Sequence, residues 1–380
     1  MEERERTRLG REEGQAIIQV TLSLLVLIAF VALAVEAGNT YSQRRQMQNA
    51  ADAGALAGAR ELCLGSSVDT ARAAARAYMI NNGVAAGAIG AGDITITGNV
   101  VDTTARVNVG TTIGQIVNLA AVNVAATARA ACGAATSACG LWPLALKKSA
   151  WQKVYSPAGE TCKPTEVIVW NDDSQSAPTC TVGGAVQENL CGCYECDISP
   201  KDGKDDFAVL VSQGRAWLDF SEAVLPYTDS CTAPGCGASE LECHIRNNEG
   251  ARITLPTCIS GDNGVKAGVK DGIKARAGDK VSIALYDSLG CTTSNCPGGE
   301  SYQVSSLGCI QVNSDPNEAW NQKFSLDPKP AYKALGYKSI KNGKVVKASV
   351  DCSNSCMSSC GGTDGTVAQP WQVRAVSILR

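Results

Sequence analysis

The strongest pattern along the chain is an unbroken apolar run. Ala16 to Val35 is 20 residues without a charge. At about 1.5 Å rise per residue, a helix of that length spans roughly 30 Å, the hydrocarbon thickness of a bilayer. A cleaved secretory signal has a shorter apolar core, about 7–15 residues, ahead of a small-residue cleavage site. Ala32-Leu33-Ala34 has that small-residue form, but the run before it is long. A buried core helix is seldom so long or so uniform. The pattern therefore predicts an uncleaved membrane helix. Gln19, Thr21 and Ser23 sit in its first turns. Thr and Ser can bond the helix's own carbonyls, whereas Gln19 is suited to facing a partner helix. Beyond Glu36 the pattern changes character. Arg45 to Arg60 is rich in Ala, Gln and Leu, good helix formers that lose little side-chain entropy on ordering. The membrane helix is predicted to continue outside the bilayer to Leu62. Small residues at Ala50, Gly54, Ala57 and Gly58 permit close packing, either by another helix or by the protein's own outer part.

Cys63-Leu64-Gly65-Ser66-Ser67 breaks this helix, and Val68 to Asn81 predicts a second one, stopped by Asn81-Asn82-Gly83. Ile94 to Thr97 and Thr104 to Val109 alternate with period two around turn residues and predict paired strands. A short helix over Ile113 to Leu119 and a strand over Val122 to Ala130 complete a small α+β unit. The small residues of 131–140 predict a boundary. Beyond it, candidate strands are Glu166 to Trp170, Phe207 to Val211, Arg252 to Leu255, Lys280 to Tyr286, Tyr302 to Val304, Lys344 to Val350 and Val373 to Leu379. Long helical periodicity is scarce there, and Val265 to Ala277 reads as a loop or short helix. The whole is predicted as an α+β protein. A tail spans 1–14, a membrane anchor with its extended helix 15–62, a membrane-proximal unit 63–131, and a cysteine-rich, mostly-β domain 132–380. Four Phe in the chain predict a thin aromatic core, with cross-links carrying part of the stability.

Cysteine usage sets the compartment. There are 18 cysteines, and all but Cys63 lie beyond residue 100, a density that belongs in an oxidising environment. Arg4, Arg6, Arg8 and Arg11 precede the apolar run while Arg44 and Arg45 follow it, which places the N-terminus in the cytoplasm and the remainder outside. Cys132 with Cys139 would close a tight disulfide loop. Cys191, Cys193 and Cys196, and then Cys352, Cys356 and Cys360, are further disulfide candidates. Cys193-x-x-Cys196 has redox spacing, but a thioredoxin-like site needs a helix N-terminus to lower the thiolate pKa, and Asp197-Ile198-Ser199-Pro200 reads as a turn. Zinc is the other option for either cluster, though zinc sites favour paired hooks supplying four ligands. His244 is the single histidine. A Cys243 or Ser nucleophile served by it has no supporting motif. No phosphate-binding glycine loop is present, and a net charge of −3 without a basic stripe argues against nucleic acid. No cofactor is expected.

Gly14-Gln15-Ala16, the apolar run, Val35-Glu36-Ala37-Gly38, Tyr41, then Arg44-Arg45-Gln46-Met47-Gln48-Asn49-Ala50-Ala51-Asp52-Ala53-Gly54-Ala55-Leu56-Ala57-Gly58-Ala59 resembles the N-terminal domain of TadE/TadG-like proteins of the bacterial tight-adherence (Flp pilus) system. The family pattern usually has Asp where this chain has Glu36. A weaker likeness extends to Gly140-Leu141-Trp142-Pro143-Leu144 and Gly214-Arg215-Ala216-Trp217-Leu218-Asp219, which are similar to the outer part of some members. The resemblance implies a single-pass protein of the bacterial cell membrane, with other pilus-assembly proteins or pilin-like subunits as partners, and it implies no reaction. Gly14 before an apolar helix also invites prepilin-peptidase cleavage, but the residue five places on, normally Glu, is Gln19. Asp172-Asp173-Ser174-Gln175-Ser176 after an apolar strand is similar to the metal-ion-dependent adhesion site of von Willebrand A domains, with Asp172, Ser174 and Ser176 as hard oxygen ligands suited to Mg²⁺. That domain alternates strands and helices throughout, and this sequence does not. The leading expectation is a non-enzymatic pilus-assembly component or minor pilin-like subunit. A surface adhesion module sharing just the anchor is the alternative.

Overall fold

The computed structural model describes residues 2–138, 140–155, 162, 166–170, 180–182, 185–187, 192–196, 206–212, 217–220, 238–247, 253–262, 267–291, 301–326, 330, 340–353, 356 and 362–379. The chain divides into two compact units, one of residues 1–130 with 378–380, the other of residues 131–377.

In the first unit, α1 (Glu2–Cys63) is one continuous helix that contains the apolar run. It stops where Gly65 takes a φ of 79° and its N–H turns back to the Leu62 carbonyl. α2 (Val68–Asn81) starts three residues after Gly65. The Ser67 hydroxyl accepts the Thr70 N–H at 3.2 Å, satisfying one of the donors a helix start leaves over. Two bonds from Arg76, to the carbonyls of Ala86 and Ile89 at 2.7 and 3.1 Å, hold the loop after α2. β1 (Ile94–Thr97) and β2 (Val100–Gly110) form an antiparallel hairpin, with Ile94 opposite Thr103. β3 (Ala121–Ala134) follows, and the sheet has the order β1-β2-β3-β18, where β18 is Arg374–Ile378, of which the first unit includes Ile378. The helix predicted over Ile113 to Leu119 is a single 3₁₀ turn, Gly114–Val117, ended by Asn118 in the left-handed region. The turn does not lengthen because Asn118, with a φ of 65°, leaves the right-handed helical region, and the Leu119 N–H closes back on the Gly114 carbonyl.

The second unit holds β4 (Ser137–Ala138), β5 (Leu141–Lys147), α3 (Lys148–Tyr155), β6 (Glu166–Trp170), β7 (Cys180–Val182), β8 (Ala185–Gln187), β9 (Gly192–Cys196), β10 (Asp206–Ser212) and β11 (Trp217–Leu218). They are followed by α4 (Ala238–Asn247), β12 (Ile253–Thr254), β13 (Thr257–Asp262), α5 (Lys270–Ala275), β14 (Lys280–Leu289), β15 (Ser301–Val312), α6 (Pro316–Ala319), β16 (Trp320–Leu326) and β17 (Ile340–Val350). The main sheet runs β13-β11-β5-β14-β15-β17-β6-β10-β9, with β16 paired on β17. Because β13 also pairs with β15, the strands β13, β11, β5, β14 and β15 close a ring. Two pairings are parallel, β5 with β14 and β6 with β10.

Both faces of β5, β14 and β15 are covered. Trp142, Leu144 and Leu146 of β5 enter one core with Leu241 and Ile245 of α4 and Ile273 of α5. Leu141 and Ala145 enter a second core with Phe220, Ile259, Tyr302 and Leu307. A strand buried on both sides carries no polar alternation, so the run Leu-Trp-Pro-Leu-Ala-Leu gives no period-two signal. The expected thin aromatic core is corrected by tryptophan. Trp142, Trp151, Trp217 and Trp320 are each at most 2% exposed, and an indole buries more area than a phenyl ring. The Trp142 and Trp151 N–H groups donate to the carbonyls of Ile245 (3.2 Å) and Trp371 (2.9 Å), so their polar atoms are satisfied.

Disulfides join Cys162 to Cys352, Cys258 to Cys291 and Cys309 to Cys356. The first links residues 190 apart in sequence, the longest separation of the three. Replacing both of its cysteines (Cys162→Ser with Cys352→Ser) is expected to cost the second unit about 2–5 kcal/mol, read by denaturant unfolding followed through tryptophan fluorescence. A pH dependence follows from Glu318. Lys347 Nζ lies 2.7 Å from its carboxylate and the Asn321 amide donates to both oxygens. The hydrogen bond from Lys347 holds Glu318 below the ordinary glutamate range. Its stabilisation is therefore complete above the unfolded value of about 4.3 and is lost as pH falls through the lower folded value. With 42% of the Glu318 side chain exposed, the effect is expected to stay below about 1 kcal/mol. Glu318→Gln should flatten that part of the acid-unfolding profile.

Candidate functional site

The surfaces with most to do are on α1, which is two different helices in succession. From Ile17 to Val35 it is exposed on all sides, with Ile17, Val20, Leu27, Phe30 and Val35 each more than half open. This stretch is long and apolar enough to cross a membrane, and none of it is buried by the protein itself. A soluble core helix would be covered; this one leaves its whole circumference for lipid or for other helices.

Above Glu36 the helix becomes one-sided. Met47, Ala50, Ala51, Gly54, Ala55, Gly58 and Ala59 are buried, a 3-then-4 spacing that keeps every member on one face. All but Met47 are Ala or Gly, so the opposing backbone comes close. A Cβ placed on Gly54 would stand 2.6 Å from Met79 Cγ and 3.1 Å from the Ala75 carbonyl oxygen of α2. On Gly58 it would stand 3.0 Å from Val101 of β2 and 3.2 Å from the Ala71 carbonyl oxygen. α2 answers with its own stripe of Ala71, Ala75 and Met79, all fully buried. Of the small residues predicted to pack helices, Gly54 and Gly58 thus pack α1 on its own unit. Ala57 is half-buried beside that face.

Polar groups of the same segment tie α1 to the sheet. The buried Thr103 hydroxyl donates to the Ala51 carbonyl at 2.8 Å. The Gln48 amide donates to Asp52 Oδ1 at 2.8 Å and to the Thr127 carbonyl at 3.2 Å. Gln46 fills the space beside Gly83, whose φ of 96° and missing Cβ both suit glycine. Lower down, Glu36 Oε2 accepts the Ile113 N–H at 3.0 Å. Apart from Gln48 with Asp52, one helical turn apart, these partnerships are not visible in sequence, because they join residues far apart in the chain.

Between α1 and the sheet lies a cleft of about 830 Å³, lined by residues that include Gln48, Asp52, Asp102, Thr127 and Arg129. Arg129 grips Asp102 through two bonds, Nε to Oδ1 at 2.7 Å and Nη2 to Oδ2 at 3.3 Å. The hydrogen bond and charge of Asp102 push the guanidinium further into its charged range. This fixes the shape of the cleft wall. It supplies no nucleophile and base in hydrogen-bond reach of each other.

Cys352 and Cys356 are in the disulfides with Cys162 and Cys309, so neither is a thiolate ligand for zinc. Cys132 is disulfide-bonded, while Cys139, Cys191 and Cys360 lie outside the described residues. Cys193 and Cys196 lie on β9, opposite Ala208 and Asp206 of β10, and not at a helix start. Cys243 is disulfide-bonded, which removes it as a nucleophile for His244. His244 itself is 3% exposed, with Nε2 3.7 Å from Glu240 and its ring edge-on to Phe220 at 5.8 Å. Asp172, Ser174 and Ser176 lie outside the described residues. β6, the strand before them, is present and runs parallel to β10. Among the described residues no group of three or more His, Cys, Asp or Glu is placed to hold a metal ion. The two outer motifs, Leu141 to Leu144 and Trp217-Leu218, are neighbours in the sheet, with Trp217 opposite Leu144.

Gly54→Leu is expected to force α2 off α1 and cost the first unit about 1–3 kcal/mol, as overpacking does. Thermal unfolding of the detergent-solubilised protein would measure it, with Ala57→Leu, on the half-open flank, giving the smaller loss.

No curated protein and no solved structure matches the chain. The stretch of α1 that carries the membrane segment and the buried small-residue face does match a family: residues 14–61 fit the family model described as "Putative Flp pilus-assembly TadE/G-like".

Proposed function

We propose that this protein is a single-pass component of a Tad/Flp-type pilus-assembly system, or a minor pilin-like subunit of it, working by contacts and not by catalysis. Its N-terminus is cytoplasmic and its disulfide-bonded units lie outside the bacterial membrane. The observation that carries the reading is α1. Its family-matching segment leaves residues 17–35 wholly uncovered while its upper face is committed to its own unit. Contacts with other assembly proteins inside the membrane then run through residues 17–35, where Gln19 and Ser23 offer polar grips. The disulfides agree with an oxidising exterior, and the arginines ahead of the helix agree with the orientation.

Shearing pili from cells and blotting the filament and membrane fractions tests this. Recovery in the sheared filament is expected of a minor pilin. Retention in the membrane, with pili lost on deletion, is expected of an assembly component. Retention with pili intact on deletion would sink the pilus reading in favour of an adhesion module.

A further inference from the structure

A second part of the first unit is built to meet the bilayer. We infer that the loop between β2 and β3, residues 111–120, rests on the outer lipid interface as a second membrane contact beside α1. The β2–β3 arm descends along α1 toward the membrane. Val101 lies at Gly58, Thr103 bonds Ala51, Thr127 bonds Gln48, and Ile113 bonds Glu36. From Gly58 to Glu36 is about 33 Å of helix at about 1.5 Å per residue. Glu36 directly follows the last residue of the apolar run, so Ile113 and the loop around it are fixed at the level where that run ends.

The composition of the arm agrees. No charged residue occurs between Arg106 and Arg129. The loop carries Ile113, Ile116, Val117 and Leu119, and Leu119 is 49% exposed. An apolar side chain left open at a soluble surface gains nothing, whereas at a lipid interface it is covered. Bonds within the loop tie up part of its backbone, which suits a lipid-facing turn. The Thr111 hydroxyl donates to the Leu119 carbonyl, the Leu119 N–H to Gly114 at 2.7 Å, and the Thr111 N–H to Ala120 at 3.0 Å. Gly114 cannot carry a side chain here, since a Cβ would stand 2.7 Å from the Leu119 carbonyl oxygen. Tyr41, 70% exposed and just above Glu36 on α1, has the amphipathic ring that favours the headgroup level. The occupant this surface fits is the bilayer itself, because it is continuous with the segment of α1 that crosses it.

The inference rests on α1 spanning the membrane, and the test separates the two. The full-length chain is reconstituted into phosphatidylcholine vesicles with and without acyl-chain bromine, which quenches tryptophan on contact. Leu119→Trp and, independently, Gln115→Trp are compared with Leu27→Trp inside α1 and Val68→Trp at the start of α2. Emission added at 119 and 115 is expected to be lost in lipid brominated near the headgroup, that at 27 in lipid brominated at mid-chain, and that at 68 in neither. Quenching at 27 without quenching at 119 or 115 would overturn the loop contact and leave the anchor intact. Loss of quenching at 27 would overturn both. Unchanged native tryptophan emission and disulfide content identify the variants that keep the fold.

Discussion

Close approach between the backbones of α1 and α2 is the constraint on which the first unit depends. Gly54 and Gly58 leave no room for a side chain against Met79, Ala75 and Ala71. That contact holds the upper half of α1 inside a folded unit, while the lower half stands free for the membrane. One helix therefore serves two solvents. In lipid its backbone groups are bonded internally and its surface can be apolar all round. Above Glu36 the same helix is covered on one face by protein, and small residues let that face reach main chain directly.

The second unit solves a different problem. Its strands β5, β14 and β15 are apolar on both sides and lie between two cores, one filled by tryptophans and helices, the other by Phe220, Tyr302 and aliphatic residues. The disulfides tie distant parts of the chain to this sheet, as Cys309 of β15 does with Cys356. Such bonds limit the unfolded ensemble and suit a protein exposed to an oxidising exterior.

The functional reading rests on surfaces. The polar groups of the cleft beside α1 pair with each other, Arg129 with Asp102 and Gln48 with Asp52, and they shape a wall. His244, the one side chain suited to proton transfer near neutral pH, is enclosed beside Glu240 and Phe220. What the first unit presents outward is the uncovered helix of residues 17–35 and the uncharged loop beside Glu36. Both are suited to a membrane and to assembly within it.

The sequence by itself determined the elements whose signals are local. The apolar length of 16–35, the start of α2 after Ser67, and the alternation in β1 and β2 are each written in neighbouring residues. So is the family-like segment, because its motif is contiguous. The tertiary structure decided what depends on distant partners. Whether Gly54 and Gly58 face another molecule or α2 cannot follow from spacing, since both partners need the same small residues. β5 gave no strand alternation because it is buried on both faces, and its parallel pairing with β14 joins strands far apart in sequence. Four phenylalanines alone would make a thin core, and four buried tryptophans fill it. Glu36 read as the end of an apolar run; its bond to Ile113, which sets the level of the β2–β3 loop, exists only once the chain has folded back along the helix.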